Sequence, residues 1–138
     1  MESGFEIIEH TADVGVIAHG ADMKQAFANA ARGLFSLIAE LDAVREVLHR
    51  DIKVTATDKE SLLVEWLNEL IYQFDVENII FKRFDIIELD NTQLKARSYG
   101  EKVDPSRHKL KTAVKAATYH LLKVEKDGGY KVQVIFDI

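Results

Sequence analysis

Apolar residues recur along this chain with two periods, and the switches between them mark its elements. Phe5 to Glu9 is short and alternating, and Val14 to His19 sets Val14, Val16 and Ala18 on one face, as a half-buried strand does. The tight, polar His10-Thr11-Ala12-Asp13 lies between them. From Asp22 to Leu41 the period lengthens. Met23, Ala26, Phe27, Ala30, Leu34, Leu37, Ile38 and Leu41 follow i, i+3, i+4 spacing and predict an amphipathic helix, with Asp22 and Gln25 as its capping box. Ile52 to Thr57 alternates again. Thr57-Asp58-Lys59-Glu60 fits the S/T-x-x-E capping signal and predicts a second helix to about Phe74, with Leu63, Trp66, Leu67, Leu70, Ile71 and Phe74 as its core-facing stripe.

The remainder reads as paired strands. Ile79 to Leu89 and Thr92 to Tyr99 flank Asp90-Asn91, and Ala116 to Glu125 and Tyr130 to Ile138 flank Lys126-Asp127-Gly128-Gly129. Both connections have tight-turn chemistry, because Asn, Asp and Gly tolerate the positive φ of a hairpin turn. Strands that come mostly in hairpins predict an α+β fold: one domain over residues 1–138, with a largely antiparallel sheet of six or seven strands backing two long helices.

Composition narrows the chemistry. A chain of 138 residues, 47% hydrophobic and 30% charged, is that of a globular domain with a sizeable core. It has no cysteine, which excludes thiolate and disulfide chemistry and leaves carboxylates, imidazoles and carbonyls as metal donors, a set that suits hard cations. The first residues show no signal-peptide pattern, and no apolar run approaches the roughly 20 residues needed to cross a bilayer, so a cytoplasmic address is expected. A net charge of -5 argues against gripping nucleic acid by bulk charge, though not against a local basic patch.

Two regions carry candidate chemistry. In the last strand, Tyr130, Val132, Val134, Phe136 and Ile138 share one face and Lys131, Gln133, Ile135 and Asp137 the other. Asp137 therefore stands beside the α-carboxylate of Ile138. Two anions so close are relieved either by solvent or by a bound cation, and Asp13 is either a turn residue or a third carboxylate for that ion. The second region, Gly100 to His120, holds the only proline and two of the five histidines. Asp104-Pro105-Ser106-Arg107 has the chemistry of a helix start. Arg107, His108, Lys109, Lys111 and Lys115 form a positive strip suited to phosphates or an acidic surface. His108 and His120 are candidate proton carriers. No nucleophile has a base at working spacing, and no Gly-rich phosphate loop is present.

His10-Thr11-Ala12-Asp13-Val14-Gly15, Gly100-Glu101-Lys102 through Asp104 and His108, Val114-Lys115-Ala116-Ala117-Thr118-Tyr119-His120 and the terminal Phe136-Asp137-Ile138 together resemble archease. The match runs in consistent order from residue 5 to the last, and the segment from about Glu40 to Arg50 carries no family motif. The resemblance implies a non-catalytic accessory protein of the RtcB-type RNA ligase, which joins tRNA halves after intron removal. Members promote guanylylation and multiple turnover of the ligase and can broaden its nucleotide use. The family's metal site falls on Asp13, Asp137 and Ile138, with calcium as the ion. His10, Lys102, Asp104, Arg107, His108 and Lys115 are then expected contacts to ligase or tRNA. The family's reported likeness to a heat-shock chaperone keeps a general chaperone, or a modulator of a nucleic-acid-modifying enzyme, as the alternative. A metal-dependent hydrolase with His10 or His120 as base is a third.

Overall fold

A computed structural model describes residues 4–9, 13–126 and 128–138. Among them lie seven strands and two helices, in the order β1 (Phe5–Glu9), β2 (Asp13–Gly20), α1 (Met23–Ile38), β3 (Leu48–Thr55), α2 (Lys59–Glu77), β4 (Ile79–Leu89), β5 (Gln93–Lys102), β6 (Ala116–Lys126) and β7 (Tyr130–Asp137). The expected α+β fold is present, and every strand pairing is antiparallel. The strands divide between two sheets, β1-β2-β7-β6 and β3-β5-β4, where the sequence reading had one. Helix α1 explains the division, because it packs on β1, β2 and β7 of the larger sheet and on β4 of the smaller. Alternation within a strand reports a buried face and says nothing of which sheet the strand joins.

One core runs between the layers. Trp66 is fully buried, meets Phe84 edge-on at 6.0 Å and donates its indole N–H to the Phe27 carbonyl oxygen of α1 at 3.1 Å. Phe35 packs on Phe81 and Phe84 from the opposite side. Most of each stripe read from the sequence is buried; Met23 and Phe74 are half-buried, and Ala31, Gly33 and Phe35 of α1 and Leu62 and Val64 of α2 are buried besides.

Helix ends differ from the reading in instructive ways. Asp22 caps α1 by accepting the Gln25 N–H at 2.8 Å, and Gln25 reaches back to the Ala21 N–H at 2.6 Å. The cap of α2 is Asp58, which accepts the Ser61 N–H at 2.7 Å, one residue later than the Thr57 signal. A carboxylate beside the helix N-terminus is favoured by both hydrogen bond and dipole. Helix α1 stops at Ile38, short of Leu41, because residues 109–112 supply its end: the N–H groups of Lys111 and Thr112 donate to the carbonyl oxygens of Ile38 and Leu37 at 2.8 and 3.0 Å. Such long-range capping leaves no local mark. Helix α2 runs past Phe74 to Asn78, whose φ of 57° ends it in the left-handed region. β3 starts at Leu48, four residues before the run read at Ile52, because inward Leu48 and Arg50 alternate with exposed His49 and Asp51.

Gly100 is required by close packing of β5 on β4. A β-carbon there runs into the carbonyl oxygen of Ile80, which is backbone and cannot rotate aside. Gly100→Ala is expected to destabilise the fold by about 2–3 kcal/mol, the upper part of the range for overpacking. A urea midpoint unchanged from the parent would show that the strands separate there at no cost.

Candidate functional site

Antiparallel pairing of β2 with β7 sets Asp13 directly opposite Asp137. Val14, Val16 and Ala18 face the helices, as do Val132, Val134 and Phe136, so both aspartates belong to the outer face of the sheet. Like charges directly opposite destabilise a sheet. One oxygen, Asp13 Oδ1, is also buried with no hydrogen-bond partner among the described residues. A buried carboxylate oxygen is normally satisfied, so this orphan needs an explanation. Two carboxylates set opposite each other across β2 and β7 are donors of the hard type that calcium takes, and their chemistry fits such an ion. Among the described residues no third Asp, Glu or His joins the pair. The adjoining His10 lies outside the described residues, as do Thr11 and Ala12.

Neighbouring elements hold the pair in place. β6 flanks β7 with Ala116 opposite Asp137, and the Lys115 N–H donates to the Asp137 carbonyl oxygen at 2.8 Å. On the far side of β6, Asn68 of α2 accepts the Ala117 N–H at 2.8 Å and donates to the Ala117 carbonyl oxygen at 3.4 Å. Its amide thus takes the place of a missing strand. The sequence reading missed Asn68, although its spacing from Val64 and Ile71 puts a polar group on the buried side of α2, which is the available signal.

The second candidate region is internally committed. Buried Glu101 accepts three donors: Arg107 Nη2 at 2.6 Å, the Arg45 N–H at 2.7 Å, and His108 Nε2 at 3.0 Å. His108 Nδ1 accepts the Asp104 N–H at 2.8 Å, so the ring proton sits on Nε2 and points at Glu101. Burial alone raises the carboxyl pKa of Glu101, but the bonds from Arg107, Arg45 and His108 outweigh it and hold the pKa at about 2. Asp104 also turns inward. It accepts the Ser106 N–H and hydroxyl and the Arg107 Nε, and the Ser106 bonds chiefly hold its pKa below the usual carboxylate value.

Three expectations change here. Asp104-Pro105 opens a single turn and no helix, because His108 is drawn into Glu101. The His108 side chain is fully enclosed, so it presents nothing to a partner and carries no proton to solvent. Arg107 spends its guanidinium on Glu101, Asp104 and the Ala43 carbonyl oxygen. Lys102 and Lys115 remain exposed, Lys102 with its ammonium on the Glu77 carbonyl oxygen at 2.7 Å. Glu101 stands in a family motif but had no role assigned from the sequence, and Arg45, whose N–H also bonds to it, falls in the stretch without a family motif.

Fold and site together define a small α+β domain whose four-stranded sheet sets Asp13 opposite Asp137 at its end. The chain belongs to the Archease protein family (MTH1598/TM1083), whose model matches residues 5–138. Protein archease of Methanosarcina mazei is 40% identical over 97% of this chain and 95% of that protein. That of Pyrococcus abyssi is 39% identical over 97% and 98%. The solution structure of Methanobacterium thermoautotrophicum protein 1598 superposes with a TM-score of 0.86 at 33% identity, covering 99% of this chain and 100% of that one. A Thermotoga maritima crystal structure, described as an archease and possible chaperone, has a TM-score of 0.65 at 24% identity over 96% of both chains, a likeness of fold.

Proposed function

We propose that this protein is a non-catalytic activator of an RtcB-type RNA ligase, promoting guanylylation and multiple turnover in tRNA exon ligation in the cytoplasm, with a calcium-type cation on Asp13, Asp137 and Ile138. Family membership supports the reading, and one observation carries it: a buried Asp13 oxygen, without a partner among the described residues, opposite a second carboxylate. When bound, the ion supplies positive charge and open coordination positions for an anionic oxygen of a partner. The chain's own residues do the positioning. Asn68 and the Lys115 main chain fix β6 and β7, which fixes Asp137. Exposed Lys102 and Lys115 offer ammonium groups on the surface reached from the loop. No helix among the described residues is long and apolar enough to cross a membrane.

Ligase turnover is the test. Asp13→Ala, Asp137→Ala and a chain lacking Ile138 are each expected to leave the ligase's first turnover intact and to abolish the later ones. Parent-like turnover with all three variants sinks the metal assignment. A general chaperone would instead suppress aggregation of unrelated proteins and leave ligation unchanged. Hydrolysis of a phosphoester by the isolated protein with divalent metal would favour the hydrolase.

A further inference from the structure

Between Thr118 and Lys123 the pairing of β6 with β7 is broken by a wide bulge, since Thr118 faces Ile135 and Lys123 already faces Gln133. The bulge is held by side chains. Thr118 Oγ1 donates to the Ile135 carbonyl oxygen at 2.8 Å and accepts the His120 N–H at 3.3 Å, while Gln133 Nε2 donates to the Leu121 carbonyl oxygen at 2.8 Å. Leu121 sits at φ 53°, a conformation that a non-glycine residue adopts only when its surroundings enforce it. Of the bulge's apolar side chains only Leu122 packs against the core, whereas Tyr119 is 59% and Leu121 55% exposed, and His120 is exposed beside them. An edge strand ordinarily hides such groups.

Charge identifies the occupant. From His108 to Val124 the chain carries Lys109, Lys111, Lys115 and Lys123 and no acidic residue, although its net charge is -5. All four lysines are exposed. The Lys115 N–H bonds to the Asp137 carbonyl oxygen and Lys123 pairs with Gln133, four residues along β7, so their main chains lie on the order of 13 Å apart on either side of the bulge. A projecting ring between ammonium groups is the arrangement that binds single-stranded nucleic acid, with bases stacked on the ring and phosphates on the cations.

We propose that the bulge is a stacking platform for a short single-stranded RNA segment, Tyr119 taking a base and Lys115 and Lys123 the flanking phosphates. The proposal deepens the ligase reading by giving RNA a place on this protein, and it rests on that reading only for the choice of RNA over DNA. An acidic polypeptide is the rival occupant. It needs the lysines but not the ring.

The test uses the full chain without ligase. A fluorescently labelled oligouridylate is titrated with parent protein at low salt and followed by anisotropy. Binding is expected to weaken with salt. Tyr119→Ala is expected to weaken it about tenfold, within the range for loss of one stacked base. Tyr119→Phe is expected to bind as the parent does. Lys115→Glu with Lys123→Glu is expected to weaken binding and flatten the salt dependence. The ring is solvent-exposed, so melting curves of both Tyr119 variants are expected to overlay the parent's. No binding at low salt, an alanine variant within twofold of the parent, or equal competition by oligoglutamate overturns the proposal. Because Asp137→Ala is read in ligase turnover, the two readings can fail separately.

Discussion

Replacing Glu101 by alanine is expected to destabilise the protein by about 3–5 kcal/mol, the loss seen when one partner of a buried charged pair is removed. Three donors converge on this carboxylate from two segments: Arg107 and His108 from the loop after β5, and the Arg45 N–H from the connection between α1 and β3. Alanine leaves the enclosed His108 N–H and the Arg45 N–H without their acceptor and leaves Arg107 with Asp104 as its remaining carboxylate partner. Glu101→Gln keeps an acceptor for part of the set and is expected to lose about 1.5–3 kcal/mol, as for hydrogen bonds to charged groups. The effect should reach α1, because the same loop continues into Lys111 and Thr112, whose N–H groups close that helix. Acid adds a signature. The folded pKa of Glu101 is depressed to about 2 from 4.5, so its charge-linked contribution is complete above pH 4.5 and is lost as pH falls from there towards 2. Asp58 and Asp90, held low chiefly by backbone N–H bonds, titrate in the same direction in parent and variant. The stability gap between parent and Glu101→Gln, measured by urea unfolding at a series of pH values, should therefore narrow only below about pH 4.5. A gap that stays constant down to pH 2 would show that the carboxylate is not held in its charged form.

What the sequence made legible, and what it hid, follows from the range of each interaction. Strand and helix periods are set by which face is buried, so β2, α1, α2 and β7 could be read from alternation and i, i+3, i+4 spacing, and Trp66 placed in the core. The Asp13–Asp137 pair was half legible. The face of Asp137 follows from the alternation of YKVQVIFDI, but its neighbour on the next strand is set by sheet order, which no local pattern encodes. Resemblance to the family supplied that partner. Basic residues from 100 to 120 looked alike in sequence and divide in three dimensions. Arg107 is consumed by Glu101, Lys109 and Lys111 lie where the loop closes α1, and Lys102 and Lys115 stay outside. A charge shows in sequence, whereas the main-chain donor that joins Arg107 on Glu101, the Arg45 N–H 56 positions away, does not. The bulge at residues 119–122 was hidden for a related reason. Tyr119-His120-Leu121-Leu122 has ordinary strand composition, and only the register against β7 reveals the extra length.

Calcium is expected to raise the melting temperature of this protein, and Asp137→Ala to remove that response while leaving the calcium-free protein as stable as the parent or slightly more so. Two effects of opposite sign combine here. Without an ion, Asp13 and Asp137 face each other across β2 and β7 as like charges, a repulsion of a few tenths of a kcal/mol up to about 1 kcal/mol. Deleting either charge relieves it. With an ion, the folded state is stabilised by mass action, by about 2.7 kcal/mol when the free ion stands a hundredfold above its dissociation constant. A domain of this size should then melt on the order of 10 °C higher. Asp137→Asn keeps an oxygen but loses the charge, so its response should fall between parent and alanine. Asp85→Asn, an exposed carboxylate bonded to Arg83 on the other sheet, serves as the control and should respond as the parent does. The comparison separates a metal site from generic charge screening, because screening by salt would relieve the Asp13–Asp137 repulsion with sodium as readily as with calcium. An equal shift in parent, Asp13→Ala and Asp137→Ala would place any bound calcium elsewhere and leave the partnerless Asp13 oxygen without its ion.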